Sequence, residues 1–456
     1  MTRRNLLKAP FAALPVLAQT AARRPNFLFV LTDDQRWDSL SATGHPFADT
    51  PNMDRLLREG ARFTNAFVTT SLCSPSRASF LTGQYAHTHG VRDNFGDVRE
   101  TAWTFPKALQ QSGYETAFIG KWHMGYDKDE PRPGFDHWVS FKGQGPYFDP
   151  ELNINGKRQR IEGYTNDILN DQAGEWIRQR GDRPFLAYVS HKAVHNPRTP
   201  APRHKGLYSG VEYPLPASYG DDYAGKPKWQ EQRRASRTGV DGGLARYDGS
   251  LGEYVRDTQR TLKSVDEGLG ALLQTLEETG KLDDTVVIFA GDNGFFFGEH
   301  GFINKRAAYE ESIRIPFLVR YPPLVKPGSQ VDAMTLNIDL APSVLDLAGV
   351  EAPKEMLMQG VSWKPLLSGE PTQRRRAWLY EYFYEPRYAP TPSMQGVRAE
   401  QWKYVRYPNL DDVDELYNLT DDPHELRNLA ADPRASRDLE TMRKQLYELL
   451  AETQGL

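Results

Sequence analysis

The sequence predicts an α/β fold: a large central sheet, mixed and mostly parallel, flanked by helices on both faces, with a smaller C-terminal α+β subdomain carrying a short antiparallel sheet. Three observations predict it. Continuous apolar runs at 26–32, 185–189 and 285–290 are typical of strands buried on both faces. Segments of helical period alternate with them, and past about residue 360 the pattern turns to shorter strands and turn-rich stretches. At 456 residues the chain is long enough for both units, expected at 23–360 and 361–456.

The elements follow in order. Asn26 to Thr32 reads as a buried strand ending at Asp33-Asp34, and 51–59 as a helix with Pro51 at its start. A strand at 62–69 leads into Leu72-Cys73-Ser74-Pro75-Ser76-Arg77, which opens a helix with Ser74 as N-cap, Pro75 at the first helical position and Gly83 at the end, so that Cys73 lies just before a helix N-terminus. A helix at 105–111 and a strand at 114–119 precede Gly120-Lys121-Trp122-His123. A helix at 164–180 feeds the strand 185–189, which ends at His191-Lys192-Ala193-Val194-His195-Asn196-Pro197. Periodicity disappears over 198–248, where Pro, Gly, Tyr, Arg and Lys dominate; so long an irregular segment reads as a functional insertion.

Leu262, Val265, Leu269, Leu272, Leu273 and Leu276 then mark one face of a long helix over 252–279. The strand 285–290 ends at Gly291-Asp292-Asn293-Gly294, and Gly298-Glu299-His300-Gly301 and the loop holding Lys305 lie between it and a strand at 315–320. Strands at 377–382 and 402–406, a turn-rich 416–423 and a closing helix at 436–450 complete the chain.

Thr2-Arg3-Arg4 with an apolar, alanine-rich run to about Ala22 reads as a twin-arginine export leader over 1–22, with a basic disordered tail as the alternative. Past it, no stretch holds the roughly 18 consecutive apolar residues of a membrane span. Removing the leader takes three positive charges, leaving a net charge of −7 in place of −4. Such a chain is not built to coat nucleic acid or anionic membrane, and an anionic substrate needs a local cationic pocket. Export implies a periplasmic or secreted protein in an oxidising compartment, yet Cys73 is the single cysteine and cannot form an internal disulfide. A small buried hydrophobe is the plain reading of a lone cysteine; a cysteine kept for chemistry is the other.

Asp33, Asp34, Asp292 and Asn293 are hard oxygen donors just beyond apolar strands, where ligands gather in open α/β sheets. That donor set suits Ca²⁺, with Mg²⁺ possible, better than zinc. Taken alone, Asp33-Asp34 has a turn or cap as its alternative reading, and solvated surface charge is the plain reading of Lys121 and Lys305. Asp339 reads as a cap, and Glu299 and His300 as residues shaping a loop.

The string C-x-P-S-R followed by Leu81-Thr82-Gly83 resembles the signature of the type I, formylglycine-dependent sulfatases of the alkaline phosphatase superfamily, and the likeness extends over the mature chain. It implies an alkaline phosphatase-like catalytic domain in which Cys73 is converted to Cα-formylglycine by a formylglycine-generating enzyme. It further implies that Asp33, Asp34, Asp292, Asn293 and the modified Cys73 bind one divalent cation. Arg77 would support the formylglycine, while Lys121, His123, His195 and Lys305 match the remaining motifs. The expected reaction is attack on sulfur by the aldehyde hydrate, giving a covalent sulfo-enzyme, with Lys121 and Lys305 on the sulfate oxygens, His195 protonating the leaving alcohol and His123 acting as base.

The stretch from His191 to Lys205 is similar to bacterial sulfatases assigned to 6-O-sulfated N-acetylglucosamine and related glycans, so the expected substrate is a sulfated carbohydrate attacked in exo fashion. Arg198, Arg203, Tyr384 and Arg387, with Tyr208 and Trp229, are candidate sugar contacts, each equally an exposed loop residue, and His191, at the strand end it shares with His195, is a candidate for the pocket lining. A phosphonate monoester or phosphodiester hydrolase of the same superfamily, and a non-catalytic glycan-binding protein, are the alternatives.

Overall fold

The computed structural model describes residues 24–370 and 372–454; the leader expected at 1–22 lies outside the described residues. In chain order the strands of the large sheet are β1 (Asn26–Thr32), β2 (Ala61–Phe63), β3 (Glu115–Gly120), β4 (His137–Ser140), β5 (Glu151–Ile154), β6 (Lys157–Arg160), β7 (Phe185–Ser190), β8 (Thr285–Gly291), β9 (Phe317–Arg320) and β10 (Ser329–Val331). They lie side by side as β10-β2-β9-β8-β1-β7-β3-β4-β5-β6. The central run β8-β1-β7-β3-β4 is parallel throughout, β9 is antiparallel to both its neighbours, and β5 and β6 add an antiparallel hairpin at one edge.

Period-two alternation explains why the central strands are apolar at every position. Phe27, Phe29 and Leu31 of β1, Val286, Ile288 and Ala290 of β8, and Leu186 and Tyr188 of β7 point into one core, shared with Phe80, Leu109 and Val344. These last come from the helices α2 (Cys73–Thr82), α3 (Phe105–Gln111) and α6 (Leu340–Ala348). Leu28, Val30, Val287, Phe289, Ala187 and Val189 point the other way. That face is covered by α1 (Pro51–Glu59), α4 (Thr165–Arg178) and α5 (Leu251–Glu278), and all six leucine and valine positions expected on the inner stripe of α5 are in its core. Asp266 of α5 turns its carboxylate onto the start of α1, accepting from Asn52 N at 3.0 Å and Met53 N at 2.8 Å. It thereby satisfies donors that a helix N-terminus otherwise leaves open.

The C-terminal sheet has four strands, β11 (Ala377–Tyr382), β12 (Met394–Ala399), β13 (Trp402–Arg406) and β14 (Glu415–Asn418), antiparallel in that order and backed by α7 (Ser436–Gln454). Its core includes Phe67, Leu72 and Ile338 from the first part of the chain.

Local departures from the expected elements have tertiary causes. β12 and β14 were not expected as strands: Gly396 interrupts the apolar alternation of one, and the other lies in a stretch dominated by turn residues; both are held by pairing. The expected strand 62–69 splits into Ala61–Phe63 and Ala66–Phe67, which pair with different partners. The insertion 198–248 contains two short helices, Trp229–Arg234 and Val240–Gly243, between turns. The helix α2 begins two residues earlier than Ser74 capping predicts, with Cys73 as its first residue rather than just before it: Leu72 is the N-cap, and Asn94 Oδ1 accepts from Ser74 N at 3.0 Å.

Asp266→Ala should lower stability by about 1–3 kcal/mol by stranding the donors of α1, whereas Asp266→Asn keeps an acceptor and should cost less. Urea denaturation of the three proteins, read at the midpoint with m unchanged, checks this.

Candidate active site

Strand register brings the site together before any side chain is considered. Thr32 lies opposite Gly291, Leu31 opposite Ser190 and Ser190 opposite Gly120, so the residues that follow leave adjacent strands at one edge. Backbone bonds carry the pairing past the strand ends, from Asp292 N to Thr32 O, Asp33 N to Ala193 O and Lys121 N to Ser190 O. Gly120 is required there: it has φ +123, and a Cβ would lie 1.9 Å from Ser190 O. Asp34 and His123 both adopt left-handed backbone without being glycine, which marks strained positions of the kind found at functional sites.

Cys73, in the first turn of α2, is buried with its Sγ 3.5 Å from Asp33 Oδ1 and 2.8 Å from Lys305 Nζ. Arg77, one turn on, donates through Nε to Asp292 Oδ2 at 2.9 Å and reaches Asp33 Oδ2 at 3.3 Å, and its other nitrogen binds Lys121 O and Ser190 Oγ. Lys121 pairs with Asp33 and Lys305 with Asp34. Three carboxylates and three cations thus alternate in a buried shell.

Asp33, Asp34 and Asp292 each offer an oxygen within 4.8 Å of the others. Asn293 Nδ2 donates to Asp34 Oδ1 at 2.8 Å, while its Oδ1 is buried with no hydrogen-bond partner among the described residues. Burial, then the neighbouring Asp33 charge, pushes the Asp292 carboxyl up to about 6. Burial also acts on Asp33, but Lys121, His195, Lys305 and Arg77 overcome it and hold that carboxyl well below the usual range. An unanswered amide oxygen, clustered carboxylates and one carboxyl that resists ionising fit a hard divalent cation.

Burial and the Asp33 charge push the Cys73 thiol up to about 12, so the unmodified side chain is a protonated thiol and not a thiolate nucleophile. His123 and His195 are both held well below the usual imidazole range, by burial first and then by Lys121. Gln144, on the loop after β4, was missed by sequence reasoning because no motif surrounds it. Lys121 can only donate, so Gln144 Oε1 accepts from it, and Gln144 Nε2 therefore donates to His123 Nε2 at 2.8 Å. His195 Nε2 lies 4.0 Å from Asp34 Oδ2, and its Nδ1 lies 2.7 Å from Asn196 O.

A cavity of about 390 Å³ opens beside His123 and Gln144, lined also by Asn94, Phe95, Tyr126, Asp127, Lys142, Gly143, Arg306, Glu385, Arg387 and Tyr388. Phe95 and Tyr126, 57% and 50% exposed, stack on one another at 5.0 Å on its wall.

Of the expected sugar contacts, only Arg387 lines this cavity. His191 is buried with both ring nitrogens unpartnered among the described residues. Arg198 is buried between Tyr254 and Phe295, at 4.2 and 4.5 Å from their rings. Arg203 is committed to Asp167 and Glu267 on the outer helices, Tyr208 packs on Phe47, and Trp229 is buried against Phe302. Tyr384 is exposed outside the lining. The insertion therefore spends most of its aromatic and basic residues on its own packing. Glu299 binds Arg36 and Phe297 N, His300 binds Asp221, and Asp339 accepts from Leu336 N, Val361 N and Arg375.

Residues 25–350 match the family described as Sulfatase, and residues 298–452 match the C-terminal region of N-sulphoglucosamine sulphohydrolase. An N-acetylglucosamine-6-O-sulfatase of Bacteroides thetaiotaomicron is 36% identical, over 99% of this chain and 90% of that protein. A protein solved in complex with its substrate D-glucosamine-2-N,6-O-disulfate superposes with a TM-score of 0.89 at 33% identity, covering 95% of this chain and 98% of its own. The phosphonate monoester hydrolase of Agrobacterium radiobacter shares the fold at a TM-score of 0.79, with 24% identity and 94% and 96% of the two chains covered. Matched over most of its length by the family and along its whole length by a relative more than a third identical, the chain belongs to the sulfatase family of sulfuric ester hydrolases, within the alkaline phosphatase superfamily.

Proposed function

We propose that the protein removes the 6-O-sulfate of N-acetylglucosamine or a closely related amino sugar in a sulfated glycan, in the periplasm or outside the cell. The reading rests on one observation above all: a buried shell of three carboxylates and three cations closes on Cys73 beside an open cavity. The names of the relatives supply the sugar. The phosphonate monoester alternative has no comparable support, since that likeness extends to the fold alone.

Asp33, Asp34, Asp292 and Asn293 would hold a divalent cation, Ca²⁺ or Mg²⁺, and Cys73 is the position for formylglycine, made by a formylglycine-generating enzyme. When present, the hydrated aldehyde supplies a nucleophile with two oxygens on one carbon, and the cation polarises it. The chain's own side chains do the rest. Without a cation the formal charges of the shell cancel; with one the shell becomes positive, as a monoanionic sulfate ester requires. Lys121 and Lys305 present ammonium groups to the sulfate oxygens, and Arg77 fixes Asp33 and Asp292 from behind. His195, its Nδ1 proton held by Asn196 O, takes up a second proton at Nε2 as the anionic sulfate ester binds and favours the imidazolium, and gives that proton to the leaving sugar oxygen, whose alkoxide is too basic to depart unaided. His123, neutral and accepting at Nε2 from the Gln144 amide, is the base for sulfate release once that hydrogen bond is exchanged for one from the reacting hydroxyl. The Phe95–Tyr126 wall and Arg387 face the sugar.

Cys73→Ala should reduce kcat on the order of 10³-fold or more with the fold intact. Mass analysis of the Cys73 peptide from the native host should show loss of the thiol sulfur in favour of an aldehyde oxygen. Asp292→Ala should lose bound divalent metal and activity together, measured by metal analysis and turnover on one preparation. Across a panel of 2-, 3-, 4- and 6-O-sulfated glucosamine and galactosamine derivatives, kcat/KM should be highest for the glucosamine 6-sulfates; a preference for another position or sugar would refute the substrate assignment.

A further inference from the structure

Lys192 takes no part in the chemistry above, yet it is buried at 1% exposure three residues before His195. Among the described residues no carboxylate lies within ion-pairing distance of its ammonium. Its polar contact is instead with Asn196 O, at 3.3 Å. The same carbonyl oxygen lies 2.7 Å from His195 Nδ1. A carbonyl only accepts, so His195 carries a proton on Nδ1 and turns Nε2 toward the metal-side carboxylates, 4.0 Å from Asp34 Oδ2. Tyr147 closes the arrangement from the other side: its ring lies 4.8 Å from Lys192 Nζ, and its hydroxyl donates to His195 O at 2.6 Å. One further bond, from His195 N to Lys192 O at 3.0 Å, makes the segment a single turn.

We propose that Lys192, with Tyr147, is a positioning residue for His195: it anchors the Asn196 carbonyl that holds the Nδ1 proton, so that the second, transferable proton of the imidazolium sits on Nε2, aimed at the leaving oxygen. An amine with no acid partner is costly to bury, and it does here what a neutral methionine of the same length cannot, which is to donate to the carbonyl. Burial, and then Lys121, push its pKa down to about 7, so the site is not obliged to carry another full charge beside Lys121 and Lys305. Charged or neutral, the amine keeps N–H donors for the carbonyl.

The inference rests on the reading above that His195 protonates the leaving group, and the experiment separates the two. Matured full-length enzyme and its Lys192→Met, Tyr147→Phe and His195→Ala variants are assayed on a glucosamine 6-sulfate, with a basic alkoxide leaving group, and on 4-nitrophenyl sulfate, whose phenolate leaves without a proton. Lys192→Met and Tyr147→Phe should each lower kcat on the sugar sulfate about tenfold with KM held within about twofold, and leave kcat on the aryl sulfate within about twofold. His195→Ala should show the same bias, more strongly. Equal losses on both substrates, or a change confined to KM, would mean that Lys192 only supports the fold, and no loss on either would dismiss it; each overturns the proposal while leaving His195 in place. If His195→Ala itself shows no leaving-group bias, the role of His195 fails and this inference with it. Should the aryl sulfate not be turned over, the split between kcat and KM on the sugar sulfate, seen in both variants at unchanged melting temperature, decides the question.

Discussion

The structure depends on the pairing of Arg77 with Asp33 and Asp292. These two carboxylates leave adjacent parallel strands, are fully buried, and would repel one another across the edge of the sheet. A guanidinium is the cation whose geometry suits this place: one nitrogen meets Asp292, another Asp33, and a third the ends of β3 and β7 through Lys121 O and Ser190 Oγ. One side chain thereby ties the ends of four neighbouring strands to α2, the helix that carries Cys73 in its first turn. Removing either partner would leave an uncompensated charge in the interior, which costs far more than the pair gains.

From that constraint the rest of the site acquires unequal character. Asp33 is surrounded by cations and stays ionised, whereas Asp292 is held up to about 6 by burial and by Asp33 itself. The thiol of Cys73 is pushed in the unreactive direction, and both histidines are kept neutral. Such preorganisation is arranged before substrate arrives and costs no reorganisation when charge develops. Burial and the Asp33 charge thus oppose a thiolate at this position.

The C-terminal sheet is part of this arrangement. Its core takes in Phe67 and Leu72, which lead into Cys73, and the Ser71 hydroxyl meets Tyr380 of β11 at 2.7 Å. Just past β11, Glu385 binds Arg306, which follows Lys305, and Arg387 and Tyr388 close the cavity over His123. The cavity is therefore walled from both parts of the chain, the first supplying the charged shell and most of the lining and the second Glu385, Arg387 and Tyr388. Family members sharing the shell can differ in the rim, which is a physical basis for one reaction type and varied substrates.

The sequence by itself determined the central strands, the long helix α5 and the positions of the charged shell. Buried parallel strands are apolar at every residue, an inner helix face repeats at 3.6, and the polar residues that follow strand ends are visible as interruptions in an otherwise apolar pattern. Asp33, Asp34, Lys121, His123, His195, Asp292 and Asn293 stood out on that ground, and their roles, like the choice of Lys305 in its loop, came from the family resemblance carried by the C-x-P-S-R string. Only the tertiary structure decided the remainder, because it rests on pairing between distant segments that leaves no local trace. The strands 137–160, 394–399 and 415–418 exist because of their neighbours, Gln144 is defined by what Lys121 and His123 need, and Asn94 caps α2 from a loop that carries no capping pattern. The same reason removes Arg198, Arg203 and Trp229 from the cavity beside His123: an arginine or tryptophan in an irregular stretch looks available until the aromatic faces and carboxylates that occupy it are in place.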